Sequence, residues 1–235
     1  MPPRNHRSSV PPSGFTLVEL LTVIATIGVL AAIVIPVVGK VRQSARSAEC
    51  LSNLRQVYVG YMTYVNDNRG RIPRAHYNDG DGNKDWMTIY SDGVIDELRS
   101  HIGCPVQRDN KKDRWLADAW YRPRAATMRT YGLNLGLNKK SSGGTTLEHS
   151  LNSFDSPARS ILIADGNNSD AGGQALYYNA VIHATRRPEF AHNGRTNAVF
   201  LDGHTESLAE SEVPLSAESA PGTAGHLFWY GVTTP

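Results

Sequence analysis

Cysteine and net charge are the two things this chain has little of. Cys50 and Cys104 are the two cysteines among 235 residues, which excludes a disulfide-dense scaffold and a four-cysteine zinc site but leaves room for one bridge. With 24 Lys and Arg against 22 Asp and Glu the formal net charge is +2, so the basic footprint of a nucleic-acid binder is missing. Long hydrophobic runs are missing too, with one exception. A mean hydropathy of −0.36, with 40% hydrophobic and 20% charged residues, excludes a polytopic membrane protein and wholesale disorder. What the chain does hold is turn formers, 21 Gly and 13 Pro, in a length that suits one ordinary domain plus an appendage, or two small domains.

The exception is residues 15–38, FTLVELLTVIATIGVLAAIVIPVV, which carry no Lys or Arg and are apolar except for Thr16, Glu19, Thr22 and Thr26. As a helix, residues 20–38 extend about 28 Å, the thickness of a bilayer's hydrocarbon core. Arg4, His6 and Arg7 before it look like the positive start of a secretory signal. Such signals, however, have an apolar stretch of ~7–15 residues followed by a small-residue cleavage site. Here the stretch is longer, and Pro36, Gly39, Lys40, Arg42 and Arg46 lead straight on. The segment is therefore read as spanning. Basic residues flank both ends, so charge does not orient it. Glu19 has two readings: a costly carboxylate that needs a partner in lipid, or an acid at a helix N-terminus, favoured there by the macrodipole.

Residues 13–21, SGFTLVELL, behind a short basic leader and ahead of the apolar helix, closely resemble the class III signal of type IV prepilins and type II secretion pseudopilins. The resemblance implies that a membrane-embedded aspartic prepilin peptidase cuts between Gly14 and Phe15 on the cytoplasmic side and methylates the new amino group of Phe15. Glu19 becomes the fifth mature residue, expected to pair with the N-terminal amine of a neighbouring subunit, and Pro36 the twenty-second, where pilins often carry a helix-kinking proline. Gly28, Ala31 and Ala32 supply small residues for close helix contact.

Beyond the span, Leu51, Leu54, Tyr58, Tyr61 and Val65 recur at intervals of three and four, one face of a continuing helix. Asn66 to Gly70 bring stop and turn chemistry. Strands are expected at residues 160–164, 176–183, 197–201 with a continuation after the Asp202-Gly203 turn, and 226–232. Residues 209–225 have loop composition. Residues 50–73, Cys104-Pro105, residues 130–134 (TYGLN), residues 156–166 (SPARSILIADG) and His192, nine residues on from which comes Asp202-Gly203, together resemble a planctomycete-type pilin-like group with a C-terminal H-X9-DG domain.

Three constellations are candidates for chemistry. Asp79, Asp81, Asn83 and Asp85 alternate like the front half of an EF-hand loop and make a candidate calcium site. Lys84 stands where the turn glycine belongs and Tyr90 where the bidentate carboxylate belongs, so a solvated acidic turn is the competing reading. His192 and Asp202, with Asp165-Gly166, have the residue types of metal ligands or an acid/base pair. Against this, both aspartates precede glycine at strand ends, where Asp stabilises turns. No nucleophile is placed beside them and no Gly-rich loop meets a phosphate-binding helix, so no enzymatic activity is expected. Cys50 and Cys104, exported together, have two open fates: buried free thiols, or a disulfide closing a loop of more than fifty residues and contributing ~2–4 kcal/mol.

The expected architecture is α+β: a leader at residues 1–14, a transmembrane and assembly helix at 15–38, its amphipathic continuation at 39–66, and a periplasmic head at 67–235 with an antiparallel sheet. The expected role is a structural subunit of a type IV pilus-like or type II secretion pseudopilus-like filament. Its partners would be prepilin peptidase, copies of itself or other pilin-like subunits, and an assembly platform, with no nucleic acid. A single pass through the inner membrane would leave the N-terminus cytoplasmic. The alternative is a membrane-anchored periplasmic module that binds envelope or export ligands without polymerising. Arg4 and Arg7 are the formal charges of residues 1–14, so the remainder carries 22 charges of each sign.

Overall fold

An apolar stripe decides which part of the first helix is buried. The structure, a computed structural model, describes residues 15–73, 76–78, 83–85, 103–107, 130–137, 149–166, 181–182, 184 and 187–233. Helix α1 runs from Leu17 to Asp67. The chain divides into two compact units, Met1–Gln43 and Ser44–Pro235.

In the first unit the apolar side chains of α1 are uncovered: Leu17, Leu20, Ile24, Ile27, Leu30, Ile33 and Val37 are all exposed, and Phe15, just before the helix, is 84% exposed. The helix continues through Pro36, whose missing N–H removes the intrahelical donor to the Ala32 carbonyl.

In the second unit, α1 buries Cys50, Asn53, Leu54, Val57, Gly60, Tyr61 and Val65. The buried face is thus centred on the Cys50, Leu54, Val57, Tyr61 and Val65 stripe, with Leu51 and Tyr58 at its margins. The helix stops where Arg69 and Gly70 turn to positive φ, and the Gly70 N–H reaches back to the Val65 carbonyl at 2.8 Å.

The stripe covers a five-stranded sheet of order β5-β3-β4-β6-β7, with β3 at Tyr131–Asn134, β4 at Ile161–Asp165, β5 at Val181–Ile182, β6 at Arg195–Phe200 and β7 at Thr205–Ala209. Strands β3, β4, β6 and β7 pair antiparallel, and the two-residue β5 adds to β3 in parallel. A separate ribbon pairs β1, His76–Asn78, with β2, Asn83–Asp85. The fold is α+β, a long N-terminal helix with an antiparallel sheet.

Strand β4 is buried along its whole length, because the sheet is covered on both faces and the apolar run of residues 161–164 therefore reads as a central strand. Leu162, Ile163, Val199 and Leu201 pack toward α1. Ile161, Ala164, Ala198 and Phe200 pack into the opposite cluster, with Leu208, Val213, Phe228 and Trp229. The register shift between Ile161 and Ile163 is what lets Leu162 and Ile163 share a cluster despite the pleat. Asn134 joins the layers: its Nδ2 donates to the carbonyls of Ile161 and Trp229, both at 2.8 Å, and its Oδ1 accepts from Gly136 N–H.

Residues 226–232, expected as a strand, instead lie mostly in helix α2, Ala224–Tyr230. Thr223 caps its N-terminus by accepting from His226 N–H, and Gly231 at φ 70 closes its C-terminus. The short apolar run His-Leu-Phe-Trp-Tyr fits either a buried strand or a buried helix turn, and the caps on both sides decide for the helix.

The Asp202-Gly203 turn between β6 and β7 forms as expected, with Gly203 at φ 91. A β-carbon at Gly203 would lie 2.5 Å from the Tyr58 ring, whose hydroxyl donates to the Leu201 carbonyl at 3.1 Å. Glycine is required here twice over, for the left-handed backbone and for the helix that lies on it. Gly203→Ala is expected to destabilise the head by about 1–3 kcal/mol, read as a lower urea midpoint. An unchanged midpoint would remove the Tyr58 contact from the account.

Candidate functional site

Four side chains from four separate parts of the chain meet under α1. Cys50 lies on the buried stripe of α1, one helical turn before Leu54. Asp165 ends β4 and, by the two-residue period of a strand, shares the α1-facing side of Ile163. His192 opens a tight turn in which Asn193 and Gly194 both take positive φ, the geometry that an Asn-Gly pair favours. His192 and Arg195 exchange backbone hydrogen bonds across it, at 3.0 and 3.1 Å. Cys104 is held from both ends: its N–H donates to Thr130 Oγ1 at 2.6 Å, and Asn53 Nδ2 on α1 donates to the carbonyl of Gly103 at 2.9 Å.

Cys50, Cys104 and Asp165 are 0% exposed and His192 is 3% exposed, and one donor atom from each lies within 4.8 Å of the others. Cys50 Sγ is 3.4 Å from Asp165 Oδ1, and Cys104 Sγ is 3.3 Å from His192 Nε2. His192 Nε2 is in turn 3.3 Å from Asp165 Oδ2. The two sulfur atoms lie within 4.8 Å of each other and both thiols are free. Around them, Tyr131 Oη donates to the Cys50 carbonyl at 3.2 Å and touches Cys50 Sγ at 3.4 Å, while Asn197 N–H donates to Asp165 Oδ2 at 2.8 Å.

The charges follow from this packing. Burial alone disfavours a charged imidazole, but the hydrogen bonds to Asp165 and Cys104 outweigh it and raise His192 to about 10. Burial, the Cys104 hydrogen bond and the Asp165 carboxylate push the Cys50 thiol well up. The hydrogen bond from Cys50 lowers Cys104. A buried carboxylate without a counter-charge is costly, and here His192 supplies it.

Asp202 is not part of this cluster. It stands on the exposed β6–β7 turn, where its Oδ1 accepts from His204 N–H at 3.1 Å and meets His204 Nδ1 at 2.6 Å. His192 and Asp202 flank strand β6, which is about 20 Å long. The nine-residue spacing of the motif is therefore the length of one strand with its two turns. The expected turn role holds for Asp202. Asp165 and His192, considered together from sequence, do meet.

At the N-terminal end, Thr16 and Glu19 form a capping box. Thr16 N–H and Oγ1 donate to Glu19 Oε2 at 2.8 and 2.7 Å, and Glu19 N–H donates to Thr16 Oγ1 at 3.3 Å. Gly14 lies outside the described residues, as do Asp79 and Asp81 of the candidate calcium loop. Asn83 and Asp85 of that loop fall on β2, opposite Asn78 and His76.

The chain is similar to the type IV major pilin protein PilA of Myxococcus xanthus (strain DK1622), 39% identical over 54 residues, 23% of this chain and 24% of that protein. It thus matches about a quarter of that relative's length. No family model matches the chain, and no solved structure matches it.

Proposed function

We propose that this chain is a structural subunit of a type IV pilus-like or type II secretion pseudopilus-like filament. In this reading prepilin peptidase cuts between Gly14 and Phe15 and the Phe15 amine is methylated. Residues 15–38 then anchor the chain in the inner membrane, head outward, until an assembly platform draws it into contact with copies of itself or other pilin-like subunits.

The observation that carries the reading is the apolar, uncovered first part of α1. An 18-residue window of it is long and apolar enough to cross a membrane and is 0% buried, while the same helix further on is the spine of a packed head. Such a surface needs lipid or another apolar surface around it. The partial likeness to a major pilin supports the second covering. Glu19 deepens the reading: the capping box occupies one of its carboxylate oxygens, Oε2, which leaves Oε1 for an amine on a neighbouring subunit.

Two measurements on membrane-extracted protein test this. Intact mass is expected to show loss of residues 1–14 and one added methyl group; a full-length N-terminus in cells with active peptidase would refute the processing. Glu19→Ala is expected to insert normally but to lose about a hundredfold or more of its filament incorporation, since removing one partner of a dehydrated charge pair costs about 3–5 kcal/mol. Wild-type incorporation of that variant, or in-cell crosslinks to other proteins and none between copies, would favour the anchored binding module instead.

A further inference from the structure

We propose that Cys50, Cys104, Asp165 and His192 bind one zinc ion in a closed, structural site that pins the head to α1. Three independent features of the cluster point to a metal. The first is donor chemistry: two thiols, an imidazole nitrogen and a carboxylate suit zinc, whereas the oxygen-seeking calcium and magnesium do not use sulfur.

The second is geometry. Metal–ligand lengths of ~2.0–2.3 Å in a tetrahedron place neighbouring donors about 3.3–3.8 Å apart. The structure holds Cys104 Sγ to His192 Nε2 at 3.3 Å, and the Asp165 carboxylate reaches both sides with its two oxygens, Oδ1 at 3.4 Å from Cys50 Sγ and Oδ2 at 3.3 Å from His192 Nε2. One donor atom from each of the four residues lies within 4.8 Å of the other three.

The third is support. Tyr131 Oη and Asn197 N–H brace Cys50 and Asp165, and the Thr130 and Asn53 contacts hold the Cys104 segment in place. Outer contacts of this kind orient ligands at metal sites.

With four protein donors, all buried, no coordination position is left for water or substrate, so the ion is structural rather than catalytic. Its ligands come from a helix, the segment before β3, the end of β4 and the turn before β6, so a single ion ties together four regions that are distant in sequence. A disulfide between Cys50 and Cys104 would tie only two, and would leave Asp165 and His192 to each other.

The test uses the full chain, extracted in detergent without a polyhistidine tag and without added metal. Elemental analysis is expected to find about one zinc per chain. Replacement by cobalt(II) is expected to give near-ultraviolet thiolate-to-cobalt charge-transfer absorption together with the visible bands of tetrahedral coordination. Cys104→Ser should remove about half of that charge-transfer intensity, one thiolate of two. Asp202→Ala, which alters only the exposed turn, should retain both metal and spectrum. Trace metal in the wild-type chain, with no cobalt charge transfer after reduction and reconstitution, would overturn the proposal. So would peptide mapping that finds Cys50 bridged to Cys104 in the protein as extracted, before any chelation, with thiols blocked at lysis. The wild-type measurements decide the matter even where the serine variant fails to fold.

Discussion

Asp165→Ala is expected to destabilise the head by about 3–5 kcal/mol, the usual cost of removing one partner from a buried charged pair. The substitution strips His192 of its carboxylate while leaving the ring buried, and takes from the Asn197 N–H the acceptor it reaches at 2.8 Å. Asp202→Ala removes a carboxylate from the same dipeptide context, Asp followed by Gly, yet is expected to cost less than about 1 kcal/mol. Its side chain is 37% exposed, its hydrogen bonds among the described residues run to His204, and water replaces what is lost. Asp165→Asn keeps an oxygen for Asn197 and should fall between the two. Urea unfolding of the full chain in detergent, followed by far-ultraviolet circular dichroism, measures all three. Equal losses for the two alanine variants would contradict the burial difference on which the cluster rests.

Trp229→Ala is expected to cost a further, independent amount of about 3–5 kcal/mol. Trp229 is fully buried on the sheet face opposite α1, its ring edge-on to Phe228 with centroids 5.0 Å apart, and its Nε1 donates to the Pro214 carbonyl at 3.1 Å. Alanine leaves a cavity beneath α2 and a carbonyl without its donor. Against a typical domain stability of about 5–15 kcal/mol, either loss is a large fraction of the total. Trp229→Phe keeps most of the ring and forfeits the hydrogen bond, so it should lose only about 1–2 kcal/mol. The same unfolding measurement reports on both. A Phe variant as unstable as the Ala variant would shift the weight from packing to the Pro214 bond.

Trp229 also shows why α2 was not legible beforehand. A five-residue apolar run has too few turns for helical and strand periods to separate. What decides is Thr223 accepting from His226 N–H and Gly231 taking a positive φ, and both depend on where the chain enters and leaves. The Asp202-Gly203 hairpin and the stop at Asn66 to Gly70 were legible because turn chemistry is local. The register of α1 was legible to within a residue or two, since a stripe repeating every three or four positions has one best face. Strand β3 was visible only as a motif, TYGLN, because the hydrogen bonds of Asn134 that make it a hub run to residues far along the chain.

The scarcity of cysteine takes on a different meaning once the chain is folded. The sequence by itself determined that there are two thiols, that a helix continuing from Leu51 to Val65 has one apolar face, and that residues 15–38 are too apolar to stay in water, because composition and short-range periodicity carry that information. Only the tertiary structure decided that both thiols meet Asp165 and His192. Positions 50, 104, 165 and 192 share no local spacing. They converge because α1 lies across the sheet at Cys50, because the pleat turns Asp165 toward that helix, and because an Asn-Gly turn brings His192 back beneath it.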